Sequence, residues 1–313
     1  MKSLRVITVC CFILFFRTSF LLAKSKPASK APAPQIAFTF DDLPEHGPMP
    51  PGETRMEIAS KIIAALRDAH LPPVYGFVNG VWIEKNPADA DVLKAWRDAG
   101  FPLGNHGWSH MNLNQHTLAE FEDDVLKDEP VIKPLMTGED WHWFRFPFLA
   151  EGDTPEKRAG IRDFFLQHEY RVADVTMSFG DYRWNVPYAR CKTKGDEKGV
   201  TLLQKTYLGA ADQSIDYYRQ LSHTLFGRDI PYVLLMHIGA LDAEMLPRLL
   251  NLYRSRGFKF ITLPQAERDE FYRIDTDMHG PVAPDMLEGV AAQRHVPLPP
   301  QPKLEVQPED VCK

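Results

Sequence analysis

Two hydrophobic rhythms alternate along the middle of the chain. Residues 35–40 (QIAFTF) form a short apolar, β-prone run, and residues 56–69 then set Ile58, Ala59, Ile62, Ile63 and Leu66 on one helical face. The pair repeats as a strand over 74–78 and a helix over 88–99, with Val92, Leu93 and Trp96 inward and Gly100 as its stop. A strand over 101–105 precedes a helix over 118–126 carrying Leu118, Phe121, Val125 and Leu126. The same alternation recurs as strand 142–146, helix 158–168 and strand 170–175. A helix over 214–225, a wholly apolar strand over 232–236, a helix over 245–254 and a strand over 258–262 complete the pattern. About seven strands alternating with helices predict a parallel α/β barrel or sheet over residues 34–272.

Three stretches break the rhythm. Residues 181–207, rich in Tyr, Arg, Trp and Lys, have no clear period and predict a long loop or inserted lobe. Such a segment is either a substrate-facing wall or a solvent-exposed connection. Residues 273–313 lose apolar periodicity and turn Pro-rich, which predicts an extended tail able to wrap the domain. At the other end, Lys2 and Arg5 precede an apolar run over 6–16 that Arg17 interrupts, short of the about 20 residues a spanning helix needs. Residues 1–23 therefore read as an export signal and 24–33 as a linker. This places the protein in the periplasm or outside the cell, held at the membrane if the leader is not cleaved. Two of the four cysteines, Cys10 and Cys11, fall in that leader. Cys191 and Cys312 remain, too few for a thiolate metal site, and either close one disulfide that pins the tail or are unrelated thiols.

Composition narrows the partners. With 44% hydrophobic and 25% charged residues the chain is an ordinary globular one. A net charge of −6 without a basic cluster beyond the first turns excludes a nucleic-acid partner, for want of a phosphate-neutralising surface. Nothing in the chain predicts a protein partner.

Active groups in parallel α/β folds collect at the carboxyl ends of strands, and four strand ends carry candidate chemistry. Asp41 and Asp42 follow the first strand directly. Buried together and unpaired they would repel, a conflict that a cation resolves, although an isolated Asp-Asp pair is more often two exposed loop acids. His106 and His110, in NHGWSH, stand four apart and can turn two imidazoles to one metal, a spacing that also arises by chance. Asp42, His106 and His110 together make a three-ligand N/O set with an open position, the form of a catalytic metal site. Zinc is the first cation such a set suggests. Arg145, in FRFPF, can pair with a carboxylate or lie at the surface beside aromatics. His237 ends the most apolar strand, where it is either a satisfied core histidine or a general acid.

In order, TFDD, HGWSH, RFPF and LLMH resemble the motifs of the NodB-homology polysaccharide deacetylases, carbohydrate esterase family four, over residues 34–264. The resemblance implies a distorted (β/α)7 barrel with a divalent metal, usually zinc, that removes acetyl groups from N-acetylated sugars. It further implies Asp41 as catalytic base, Asp42, His106 and His110 as metal ligands, Arg145 as the residue orienting the base and His237 as general acid. It also implies the Phe148 backbone N–H as an oxyanion donor. The fourth motif is the poorest match: SFGDY keeps one acid, so Asp181 corresponds to the expected partner of Arg145, with Asp174 as the alternative. Leu43-Pro44-Glu45-His46 replaces the family's Gly-Pro after TFDD, and Leu149 stands where a Gly often follows the third motif. Trp108, Phe148, Tyr182 and Trp184 are either apolar faces for a sugar and its acetyl methyl or core residues. An O-acetyl esterase, a small-amide hydrolase or a non-catalytic carbohydrate-binding protein could use the same frame.

Overall fold

The computed structural model describes residues 32–273 and 286–313. The expected leader over 1–23 and nearly all of the linker over 24–33 lie outside them. Among the described residues no helix is long and apolar enough to cross a membrane.

A seven-stranded parallel sheet forms the frame. Its strands are β1 (Gln35–Leu43), β2 (Tyr75–Val78), β3 (Leu103–Asn105), β4 (Trp143–Phe144), β5 (Arg171–Val172), β6 (Tyr232–His237) and β7 (Lys259–Phe260). In the order β5-β4-β3-β2-β1-β6, β1 lies between β2 and β6, and β7 pairs with the first two residues of β1. The ring closes where the chain beyond β5 meets β6, through a Met177–Leu234 bridge and the Leu235 N–H donating to the Met177 carbonyl. The result is a curled, distorted (β/α)7 barrel, the form the resemblance implies, on the parallel α/β frame that the alternation predicts. All seven expected strands are present, four of them only two or three residues long.

The helices cover the outside. Helix α1 (Arg55–Asp68) starts at a capping box in which Thr54 and Glu57 satisfy each other's backbone N–H groups. It turns Ile58, Ala59, Ile62 and Leu66 into the core. Next come α2 (Val81–Lys85), α3 (Ala90–Asp98), α4 (Leu118–Ile132) and α5 (Pro155–Gln167). Helix α4 has the same kind of box, from Thr117 and Glu120. The expected irregular lobe over 181–207 is not found. That region is a 3-10 turn at Asp181–Trp184, then α6 (Asn185–Lys194) and the start of α7 (Glu197–Phe226), a 30-residue helix. The inner face of α7 is built from Val200, Leu203, Tyr207, Ala210, Ala211, Ser214 and Tyr218. Tyrosines and small residues hold the helical period there, so a reading based on large aliphatics misses it. Helices α8 (Ala240–Ser255) and α9 (Leu263–Ala266) finish the barrel.

The tail is partly helical, which the sequence reading did not anticipate. Helix α10 (Met286–Gln293) buries Leu287, Val290 and Ala291. Beyond it the chain does wrap the domain: the Gln301 amide donates to the Tyr217 hydroxyl, and the Lys303 N–H to the Gln213 side chain. A disulfide joins Cys191 on α6 to Cys312, and Arg183 forms an ion pair with Glu309 at 2.7 Å. The disulfide leaves no room beside Gly199, where a Cβ would stand 2.3 Å from the Cys312 sulfur and 2.9 Å from that of Cys191. Gly199→Ala is therefore expected to destabilise the fold by about 1–3 kcal/mol, the usual cost of overpacking. A thermal melt paired with a free-thiol count tests this; an unchanged melting temperature with the bond intact would contradict it.

Candidate active site

All the chemistry singled out at the strand ends meets at the carboxyl end of the barrel. Asp41 and Asp42 lie in the last part of β1, and Asp41 pairs in register with His237 at the end of β6. The two acids face different partners. Asp41 is buried, and Arg145 Nη1 donates to both its oxygens, at 3.1 and 3.2 Å. The rest of the guanidinium is fixed by Nη2 donating to Thr39 Oγ1 at 3.1 Å and Nε donating to the Ala173 carbonyl at 2.5 Å. Arg145 thus orients Asp41, as the resemblance implies, but its partners correct the expectation for the fourth motif. Asp181 is turned to His237 instead: its Oδ2 accepts from the His237 backbone N–H at 2.7 Å and its Oδ1 from Nδ1 at 3.0 Å.

Asp42 has a left-handed backbone, φ 65°, which rotates its carboxylate away from Asp41 toward the imidazoles. Its Oδ1 is buried without a hydrogen-bond partner, while His106 Nε2 stands 3.4 Å away and His110 Nε2 3.3 Å away. A buried carboxylate oxygen left unpaired is costly, and two imidazole nitrogens at that distance leave it room to share a cation. The tautomers agree. His106 Nδ1 lies 2.7 Å from the Arg145 carbonyl, which can only accept, so Nδ1 carries the proton and Nε2 presents a lone pair. Burial and the neighbouring His106 push the His110 imidazole down to about 4, so it is neutral near pH 7. Burial by itself would raise the Asp42 carboxyl, but the side chains of His106 and His46, with the charge on His237, hold it well below the usual carboxylate range. Asp42, His106 and His110 are therefore suited to a divalent cation.

The loop carrying the two histidines is tied at several points. Asn79 Nδ2 donates to the carbonyls of His106 and Gly107. Asn105 Oδ1 accepts from Gly107 N–H, and Asp124 on α4 accepts from both the N–H and hydroxyl of Ser109. His110 itself is left-handed, φ 58°.

Across the site, burial would lower His237, yet the charge and hydrogen bond of Asp181, with Asp42 and Asp41, raise it from 6.5 to about 10. It is an imidazolium at neutral pH. With Nδ1 committed to Asp181, Nε2 is its free donor.

These groups open into a cleft of about 480 Å³ lined also by Phe146, Phe148, Leu149 and Tyr182. Phe148 is 65% exposed, has φ 58° and sets its ring 4.5 Å from that of His110. Tyr182, half exposed, stands edge-on to His237. The two tryptophans do not join them. Trp184 is fully buried, its Nε1 donating to Thr206 Oγ1 and its ring against Tyr207, so it is core. Trp108 packs against Gly80, where a Cβ would meet its ring at 2.5 Å, and lies under the Lys127 ammonium away from the cleft lining.

Two residues that sequence reasoning missed take their place. A second groove of about 320 Å³ continues past Asp42 and His110 to Trp82 on α2 and to Glu45, His46 and Asn79. His46 Nδ1 is 2.6 Å from Asp42 Oδ2, and its ring lies 4.5 Å from that of His237. The Asp-x-x-x-His spacing just after β1 was the available signal for His46. Trp82 carried none, since one tryptophan on a short helix is more often core.

Comparison with known proteins bears on the sequence family and the fold. Residues 28–162 match the family model for polysaccharide deacetylase. The chain is 24% identical over 250 residues to a peptidoglycan-N-acetylglucosamine deacetylase of Bacillus cereus, covering 77% of this chain and 70% of that protein. It is 25% identical over 111 residues to a chitin deacetylase of Arthroderma benhamiae, covering 36% of this chain and 28% of that protein. Its fold resembles that of a CE4 family pseudoenzyme from Bacillus anthracis, at a TM-score of 0.51 and 16% identity over 75% of this chain and 65% of that one. On its sequence match over residues 28–162 and on its barrel alike, the chain is similar to the polysaccharide deacetylases.

Proposed function

We propose that the protein is a metal-dependent hydrolase that removes acetyl groups from the N-acetylated sugars of a peptidoglycan- or chitin-like glycan, acting after export. The observation that carries this reading is the division of labour between adjacent carboxylates: Asp42 faces two imidazoles while Asp41 is held by Arg145. Asp42, His106 and His110 would hold a divalent cation, with zinc the identity the ligand set favours, and it would supply polarisation of an acetyl carbonyl and a water nucleophile competent near neutral pH. Asp41, whose Oδ2 is 3.8 Å from His106 Nε2, takes the proton of the attacking water. His237, charged through Asp181, delivers a proton from Nε2 to the departing amine. Phe148 contributes an apolar face for the acetyl methyl and a backbone N–H for the developing oxyanion, as in the family. Tyr182 on one side and Trp82 on the other give a sugar chain surfaces to lie against in both directions.

Acetate release should be followed side by side on acetylated chitooligosaccharide, peptidoglycan and acetyl-xylan, with and without a chelator. Chelator-sensitive release from an N-acetylated glycan is expected. Release from acetyl-xylan alone would make the protein an O-acetyl esterase, and none from any substrate by metal-loaded protein would leave a carbohydrate-binding role. Elemental analysis gives an independent check: one tightly held equivalent of divalent metal in the wild type and loss of that equivalent in His106→Ala. Full occupancy in the variant would remove His106 from the ligand set.

A further inference from the structure

The two oxygens of Asp42 address different sets of imidazoles. Oδ1 faces His106 and His110, and Oδ2 faces His46 at 2.6 Å. On that second side Asp42, His46 and His237 present ligand atoms that all lie within 4.8 Å of one another, as do those of Asp42, His106 and His110. A carboxylate with one oxygen toward each set of nitrogens has the form of a bridge between two cations, which stand about 3.5–4 Å apart in two-metal hydrolase sites.

His46 is held in place. Arg55, buried on α1, forms an ion pair with Glu45 at 2.9 Å and donates to the His46 carbonyl at 3.3 Å, which fixes the turn that carries the ring. His237 is fixed from behind by Asp181, which leaves Nε2 toward the cleft. The surroundings suit a cation: Asp41, Asp42, Asp181 and Glu45 stand around these two rings, and Arg145 and Arg55 are each engaged by one of those acids.

From this arrangement we infer that Asp42, His46 and His237 form a second divalent-metal site, bridged to the first through Asp42, whose occupation by zinc inhibits the enzyme. Filling it displaces the hydrogen bond between His46 and Asp42, whose proton passes to the other ring nitrogen of His46, and places the metal on His237 Nε2, whose proton leaves to solvent. Because Nε2 is the only ring nitrogen that Asp181 leaves for the departing amine, the doubly loaded protein lacks its general acid. The inference rests on the proposed metal-dependent reading, and the two fail differently.

Metal-free protein is titrated with zinc, with bound metal counted by equilibrium dialysis and elemental analysis and acetate release followed in parallel. The wild type is expected to bind a first equivalent that confers activity and a second, weaker one that lowers it at least 10-fold. His46→Phe keeps a ring against His237 but lacks nitrogen. It should bind one equivalent and, whatever its starting activity, lose none at zinc concentrations that inhibit the wild type. His46→Gln, which retains a polar contact to Asp42, should behave alike, so that misfolding of one variant does not decide the matter. Saturation of the wild type at one equivalent, or a second equivalent that persists in both folded variants, overturns the second site. Failure of the first equivalent to bind, or binding that His106→Ala does not remove, overturns the metal-dependent reading itself.

Discussion

Asp41→Asn is expected to lower kcat on an N-acetylated glycan by about 10²–10⁴-fold while one equivalent of metal stays bound, because it removes general-base assistance and spares every ligand. The geometry makes the separation clean. Asp41 is engaged by Arg145, whereas the oxygen of Asp42 nearest His106 and His110 has no other partner. The substitution also leaves a buried guanidinium without its counter-charge, and breaking a buried pair from one side costs about 3–5 kcal/mol. Thr39 and the Ala173 carbonyl still hold Arg145, so the fold should survive at a lower melting temperature. Turnover is therefore compared at a temperature where circular dichroism shows both proteins folded. Metal lost together with activity would mean that Asp41 is a ligand; activity within 10-fold of wild type would end its role as the base.

The features legible in the sequence were those expressed by large apolar residues or by short-range spacing. Strands such as 232–236 and helices such as 56–69 announce themselves because Leu, Ile and Val carry the period. The four polar clusters at strand ends are short enough to be read without a fold. Long-range pairings were not legible. Asp181 and Arg145 both follow barrel strands, and only the closure of the ring through Met177 and Leu234 determines that Asp181 reaches His237. Aromatic roles failed for a related reason: Trp184 and Tyr182 are two residues apart on one 3-10 turn, yet one faces core and the other the cleft. His46 was passed over as part of a departure from the family pattern. In the fold, that departure sets a fourth imidazole against the carboxylate that faces His106 and His110.

His237→Gln is expected to separate the departure of the amine from every other step. Asp181 holds the backbone N–H of residue 237 as well as the ring, so the loop keeps one of its two anchors, and the first metal set contains no atom of His237. The variant should therefore fold and retain its first metal equivalent. An amine leaves poorly as an anion, so an N-acetyl sugar should turn over about 10²-fold or more slowly without a proton donor in place. A phenyl acetate ester departs as a stabilised phenolate and needs no such proton, so the loss on it should be small. Were His237 only a packed and satisfied core residue, its replacement would cost stability, through a lost hydrogen bond worth about 1 kcal/mol, and would scale both activities down by the same folded fraction. The ratio of the two losses is thus independent of how much protein is folded. A ratio near one, in protein shown to be folded and metal-loaded, would take His237 out of the mechanism and leave the proton for the amine to come from solvent.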